Sequence, residues 1–298
     1  MTSVEAASRR EFLAAAAAVP LTRGNAGHRA AAPAAHPGLL AGKNAVIYGA
    51  AGSVGSAVTR AFAAEGAHVF LAGRTLENVE ALAREIRSTG AEATTARVDA
   101  MVRASVEEHL ADVVRDHGGV HISFNLIGID GLQGDPLTAM NAESFALPIQ
   151  NAMRTHYLTA TAAGRHMASH RTGVILALTA QVARKPYTGS GGFGVACAAI
   201  EGLCRQLAIE LGPQGTRVIT LRSSGSPDAP GVAAAIADHA RMAGVSREAF
   251  EARIAEKTML RRMPRMAEIA SAAVLLASDH ASAITAAVTN LTCGELAD

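Results

Sequence analysis

Three glycines fall within seven residues in Gly49-Ala50-Ala51-Gly52-Ser53-Val54-Gly55, directly after the apolar run NAVIYGA begins and before a segment with helical apolar spacing. Glycine at a strand-to-helix turn lets backbone N–H groups close on a pyrophosphate at the positive end of the helix. Gly49, Ser53, Val54 and Gly55 are therefore candidate cofactor-binding positions. The next apolar run ends in LAGRT, so Gly73 and then Arg74 stand where an acidic residue would hold a ribose 2′-hydroxyl. A guanidinium there suits a 2′-phosphate, which favours NADP(H) over NAD(H). The plain alternative for Arg74 is a solvated arginine at a helix start. A second segment is notable for what it lacks. GGFGVACAAIEGLCRQLAIELG, Gly191 to Gly212, reads as a helix, yet its first two turns carry no ionisable group except the Cys197 thiol.

The elements that position these residues follow from periodicity. HVFLAG precedes LENVEALAREIRSTG, ATTARVDA precedes SVEEHLADVVRDHGG, and HISFNLIG precedes a helix around AMRTHYLTATAAGRHMASH. GVILALT then leads to the blank helix, RVITLR to a Gly/Pro/Ser loop, and MAEIASAAVLLASD to the last strand, AAVTNLT. Apolar strands alternating with helices predict an α/β fold: a Rossmann-like doubly wound parallel sheet of about seven strands flanked by helices. In such a sheet, ligands bind beyond the carboxyl ends of the strands, where the strand order reverses.

Bulk composition excludes other classes. With 27 basic and 26 acidic residues the formal net charge is +1, which gives a polyanion no field to follow, so no nucleic-acid partner is expected. Cys197, Cys204 and Cys293 lack metal spacing and read as small buried packing residues. No apolar run looks long enough to span a bilayer, so no integral membrane segment is expected. His166, His170 and His280 follow helical runs without ligand spacing and read as surface or cap residues.

Residues 1–38 are a different kind of sequence. SRREFLAAAAAVPL, Ser8 to Leu21, resembles a twin-arginine export signal, and Ala32-Pro33-Ala34 offers small residues for cleavage. Export by that route is the first expectation, and a cytoplasmic protein with an Ala/Pro/Gly tail is the alternative. Residues 39–298 are expected to form the single Rossmann-like domain.

Over positions 40–298 the motifs taken in order resemble the short-chain dehydrogenase/reductase family. YGAAGSVG is similar to its glycine-rich turn, with Ser53 at the middle glycine. Asp99 of VDA matches its adenine-contacting aspartate, and Asn125 to Gly128 of NLIG its Asn-Asn-Ala-Gly segment. The resemblance implies a Tyr-x-x-x-Lys pair on the fifth helix and a serine ending the fifth strand. There this chain has Phe193, Cys197 and Ala180, with Thr179 one position earlier and the family's fourth residue, an asparagine, falling near Asn151 or Ala152. None of the three lysines, Lys43, Lys185 and Lys257, lies in the blank helix, and no tyrosine precedes one by four residues. Tyr187 and Lys185 belong instead to the loop QVARKPYTGSGG.

The blank helix face thus matches the family's catalytic face without its acid, cation or hydroxyl. Three readings stay open. The chain is a divergent NADP(H)-dependent oxidoreductase of a small-molecule substrate, drawing its proton from Thr179, Tyr187 or water. It is a cofactor-binding pseudoenzyme acting as sensor, scaffold or partner subunit. Or it is a fold-only homologue, with Ser53 and LRSSGSPDAPG in place of the family's Pro-Gly as its support. The resemblance also implies a homodimer or homotetramer, and Ser226 to Thr258 is similar to the family's substrate lid with two short helices.

Overall fold

Alternate residues along each strand go to opposite faces, and the two cores divide accordingly. Ala45, Ile47, Val69, Leu71, Phe124, Leu176 and Ile219 pack on one side, and Val46, Tyr48, Phe70, Ala72, Ile175 and Val218 on the other. The computed structural model describes residues 38–131 and 133–298. Most of the expected N-terminal extension, including its twin-arginine pattern, lies outside the described residues.

The chain runs β1 (Asn44–Tyr48), α1 (Ser53–Ala64), β2 (His68–Gly73), α2 (Leu76–Ser88), β3 (Ala93–Arg97), α3 (Arg103–His117) and β4 (Ile122–Asn125). It continues through α4 (Ala142–His170), β5 (Gly173–Ala180), α5 (Gly191–Leu211) and β6 (Thr216–Ser223). Two helices, α6 (Pro230–Met242) and α7 (Arg247–Glu256), precede α8 (Met266–Ala277) and β7 (Val288–Leu291). The strands form one 7-stranded sheet in the order β3-β2-β1-β4-β5-β6-β7, all parallel. Helices α1, α2 and α8 cover one face, and α3, α4 and α5 the other. The order reverses between β1 and β4, so a crevice opens beyond their carboxyl ends.

Helix α4 begins at Ala142, well before the segment whose periodicity marked it, and has Pro148 inside it. Proline in a helix interior normally breaks the ladder, which hid the first turns. Here the buried ring fills space left by glycine: a Cβ on Gly131 or Gly192 would lie 2.9 or 2.8 Å from its Cγ. Helix α5 also departs from expectation. By length and composition the stretch Gly191–Gln214 is apolar enough to cross a membrane. Its apolarity is used against the sheet and α4, where Ala196, Ile200, Leu207 and Ala208 are buried. Cys197 and Cys204 are buried as expected, but Cys293 is only half-buried, in a tight turn at φ 52°.

Two histidines carry an acid liability. His109 and His156 are buried, neither Nε2 has a partner, and burial pushes both down to about 4. In the unfolded chain they protonate near pH 6.5, so their contribution is whole above that pH and is lost as pH falls towards 4. Each is expected to lower unfolding free energy by up to about 1.4 kcal/mol per pH unit across that window. Urea midpoints between pH 7.5 and 4.5 check this, and replacing both by Gln should flatten the profile; an unchanged slope would refute it.

Candidate functional site

Helix α1 starts with exposed electrostatic demand. No side chain caps its N-terminus and no acidic residue lies in its first turn, while Ser56 N–H is the first to bond back, to Gly52 O at 2.7 Å. The N–H groups of Ser53, Val54 and Gly55 are left facing outward, the arrangement that holds a phosphate. Gly49 adopts φ +74°, and a Cβ on Gly55 would sit 2.1 Å from Gly49 O. Both glycines are thus required by the turn. A side chain at the middle position is tolerated because Ser53 stands on the first residue of the helix.

Gly73 ends β2 and Arg74 follows it, exposed and with no carboxylate partner among the described residues. The register pairs Gly73 with Arg97 on β3. A second exposed guanidinium therefore leaves the strand next to Arg74, and the sequence alone gave no sign of it because the two are 23 residues apart. Asp99 uses Oδ1 to accept Met101 N–H at 2.9 Å, and its own N–H donates to Ser105 Oγ. Asn125 is buried; its Nδ2 donates to Thr159 Oγ1 at 3.1 Å and its Oδ1 accepts Ile127 N–H at 3.0 Å. Its carboxamide is thus committed to fixing the turn from Leu126 to Gly128 against α4.

A cavity of about 920 Å³ opens at the carboxyl ends of β4, β5 and β6, beside the glycine turn after β1; Gly49, Gly55, Arg74 and Asp99 are not among the residues that line it. Ser53, Val54, Asn125 and Gly128 line it at the glycine turn, and Thr179, Ala180, Phe193 and Cys197 line it along β5 and α5. Asn151 and Ala152 do not; the Ala152 carbonyl accepts from His156 Nδ1 and Thr155 Oγ1.

The side chains that β5 and α5 bring to the cavity offer few groups that could exchange a proton. Cys197 has no exposed surface, and burial pushes its thiol up to about 12. Thr179 donates its hydroxyl proton to Glu201 Oε1 at 3.0 Å, which commits that proton to the interior. Glu201 is one turn beyond Cys197 and is held by Arg222, Nε to Oε1 at 2.8 Å and Nη2 to Oε2 at 2.7 Å. Both side chains are about 95% buried. Arg222 Nη1 and Arg184 Nη1 also meet Asp298 Oδ1, at 3.3 and 2.7 Å. This network escaped the sequence reading, although a buried-side Glu201 in an otherwise apolar stretch of helix and Arg222 at the end of a core strand are the signal for such a pair.

The loop after β5 brings different chemistry. Lys185 and Tyr187 both line the cavity, as do Glu295 and His239. Tyr187 donates to Gln133 Oε1 across a long 3.3 Å. Burial raises its pKa first, with Cys197 and Glu295 adding to the effect, so the phenol stays protonated at neutral pH. Its ring meets His239 of α6 edge-on at 5.7 Å, and His239 stacks on Phe250 of α7 at 6.3 Å. Of the two helices expected between Ser226 and Thr258, α6 thus meets the loop through His239, and α7 packs on that histidine from behind.

A protein-family model described as enoyl-(acyl carrier protein) reductase matches residues 49–294. An uncharacterized oxidoreductase of Mycobacterium tuberculosis is 30% identical over 82% of this chain and 88% of its own. The short-chain reductase protein NovJ of Streptomyces niveus is 28% identical over 81% and 89%. Against the glycine betaine reductase of Emericella nidulans, at 28% identity, the chain spans only 14% of the relative's length. Among solved structures, NAD+-bound xylitol dehydrogenase superposes with a TM-score of 0.80 at 22% identity, covering 86% of this chain and 99% of that one. A short-chain type dehydrogenase/reductase from Mycobacterium marinum gives 0.71 at 25%, covering 87% and 97%. With the family model matched over most of the chain and a relative 30% identical over 82% of it, the chain belongs to the short-chain dehydrogenase/reductase family.

Proposed function

We propose that this chain is an NADPH-dependent reductase of a small carbonyl or activated alkene, with its proton supplied from the loop after β5 rather than from α5. One observation carries the reading: Tyr187 and Lys185 line the same cavity as the glycine turn and the emptied face of Ala180, Phe193 and Cys197. When bound, the nicotinamide supplies a hydride. The outward N–H groups of Ser53, Val54 and Gly55 hold its pyrophosphate, and Asn125 holds the turn beside it. The weak bond from Tyr187 to Gln133 exchanges readily for a substrate oxygen, since 3.3 Å is well beyond the usual O–H···O distance. Because the raised pKa keeps the phenol protonated, the site favours reduction over oxidation, which would need the phenolate as base.

Cofactor choice would follow from Arg74 and from Arg97, whose backbone pairs with Gly73 one residue before Arg74, with no acidic side chain at Gly73. Arg74→Ala and Arg97→Ala are each expected to weaken NADPH by about 10-fold and leave NADH within twofold, a charge-assisted bond being worth roughly 1.5–3 kcal/mol. Isothermal titration with both nucleotides checks this, and equal losses would remove the assignment.

The second reading is a cofactor-binding protein without turnover, favoured by the Thr179 proton being held by Glu201 and by the sealed Cys197. Stopped-flow oxidation of bound NADPH against ketones and enones separates the two. Assembly as a homodimer or homotetramer accords with the exposed Leu147, Tyr157, Val195 and Ile209 on α4 and α5. Export by the twin-arginine route remains part of the proposal, and blotting cell fractions for the mature chain tests it.

A further inference from the structure

Glu295 follows β7 in the turn Thr292–Leu296 and brings a carboxylate to a cavity whose walls include Ile127, Ile129, Val232, Ile236 and Met263. Its side chain is 10% exposed. Oε1 accepts from Lys185 Nζ at 3.3 Å, and Oε2 is buried with no donor among the described residues. The ammonium, half-exposed on the cavity wall, has two further N–H groups and no other hydrogen-bond partner among the described residues. This pair is underused on both sides. A buried carboxylate oxygen without a donor is unfavourable, and the terminal torsion of a glutamate is soft enough to turn either oxygen to the cavity.

The group that completes such a pair can be read from its charge. Lys185 and Glu295 together are neutral, so an ammonium ligand meets repulsion from one and a carboxylate ligand repulsion from the other. A hydroxyl meets neither: it gives its proton to Oε2 and accepts an N–H from Nζ. We propose that Lys185 and Glu295 form a hydroxyl-recognition subsite, and that the substrate is an apolar-bodied carbonyl compound bearing a hydroxyl group apart from the reacting centre. This rests on the reading that the cavity receives a small carbonyl substrate. It adds what that substrate must carry.

The test uses matched ligands on the full chain loaded with NADPH. The protein has no tryptophan, so the fluorescence of bound NADPH reports ligand entry without indole background. Cyclohexanone is compared with its 3- and 4-hydroxy derivatives and with 4-aminocyclohexanone, and 2-decalone with its hydroxy derivatives. At least one hydroxy ligand is expected to bind about tenfold tighter than its parent ketone, the discrimination that a hydrogen-bonding site makes easily. That advantage should shrink below twofold in Glu295→Leu and in Lys185→Met, while Glu295→Gln, which keeps an acceptor, should retain part of it. Melting curves confirm that each variant is folded. Equal affinities throughout, an advantage that survives Glu295→Leu, preference for the amino ligand, or no binding by any member would each overturn the subsite. Failure to bind NADPH in the prior titration would instead sink the proposed function, and the ligand pairs are then compared by calorimetry on the cofactor-free chain.

Discussion

Replacing Tyr187 by Phe is expected to lower kcat for the proposed carbonyl reduction by about 10²–10⁴-fold at saturating NADPH, the usual cost of removing a general acid. The affinity for NADPH stays unchanged, since the ring keeps its edge contact with His239 and only the hydroxyl is removed. Thr179→Val, by contrast, changes kcat only a few-fold, because the Thr179 proton is already given to Glu201. Steady-state kinetics on the first substrate found to turn over provides the comparison. A Tyr187→Phe enzyme as fast as the native one would place the proton source in water, and a large loss in Thr179→Val alone would return it to β5. Reduction of an activated alkene should be the less sensitive reaction, because water can protonate the carbon after hydride transfer.

The largest loss of stability belongs to the buried pair of Glu201 and Arg222. Glu201→Leu leaves a guanidinium that is 95% buried with only the long contact to Asp298, and it strips Thr179 of its acceptor. Breaking such a pair from one side costs about 3–5 kcal/mol, whereas exchanging both members for apolar residues is often close to neutral. Urea unfolding should therefore show a steep drop in midpoint for Glu201→Leu and for Arg222→Met, with most of it recovered in the double variant. Three equal midpoints would mean that water reaches the pair, and a double variant worse than either single would mean that packing rather than charge is being measured. Neither change should alter NADPH binding, because the pair lies behind β5 and β6 and not on the glycine turn.

The fold was legible because every strand and nearly every helix announces itself by period, and because Gly49, Gly55 and Asp99 sit at family intervals. The two helices between Ser226 and Thr258 were legible only through the family resemblance, since α7 buries no face that periodicity could mark. What stayed hidden depends on register or on long-range pairing. Arg97 becomes a neighbour of Arg74 only when β2 and β3 are aligned. Glu201 and Arg222 look like unrelated charges until α5 is laid on β6. Glu295 sits in a terminal turn that no periodicity marks, yet it shapes the cavity. The start of α4 was missed because Pro148 reads as a breaker unless its glycine neighbours in space are known.

The contact between Tyr187, His239 and Phe250 has a consequence for timing. A proton donor on a central helix is present whether or not anything occupies the cleft. In the proposed reductase the donor would instead be braced by His239 of α6, so the position of the phenol is tied to that helix. A bound nicotinamide would then have its acid beside it only while α6 is seated as it is here, and proton delivery would be coupled to the placement of that helix over the cleft.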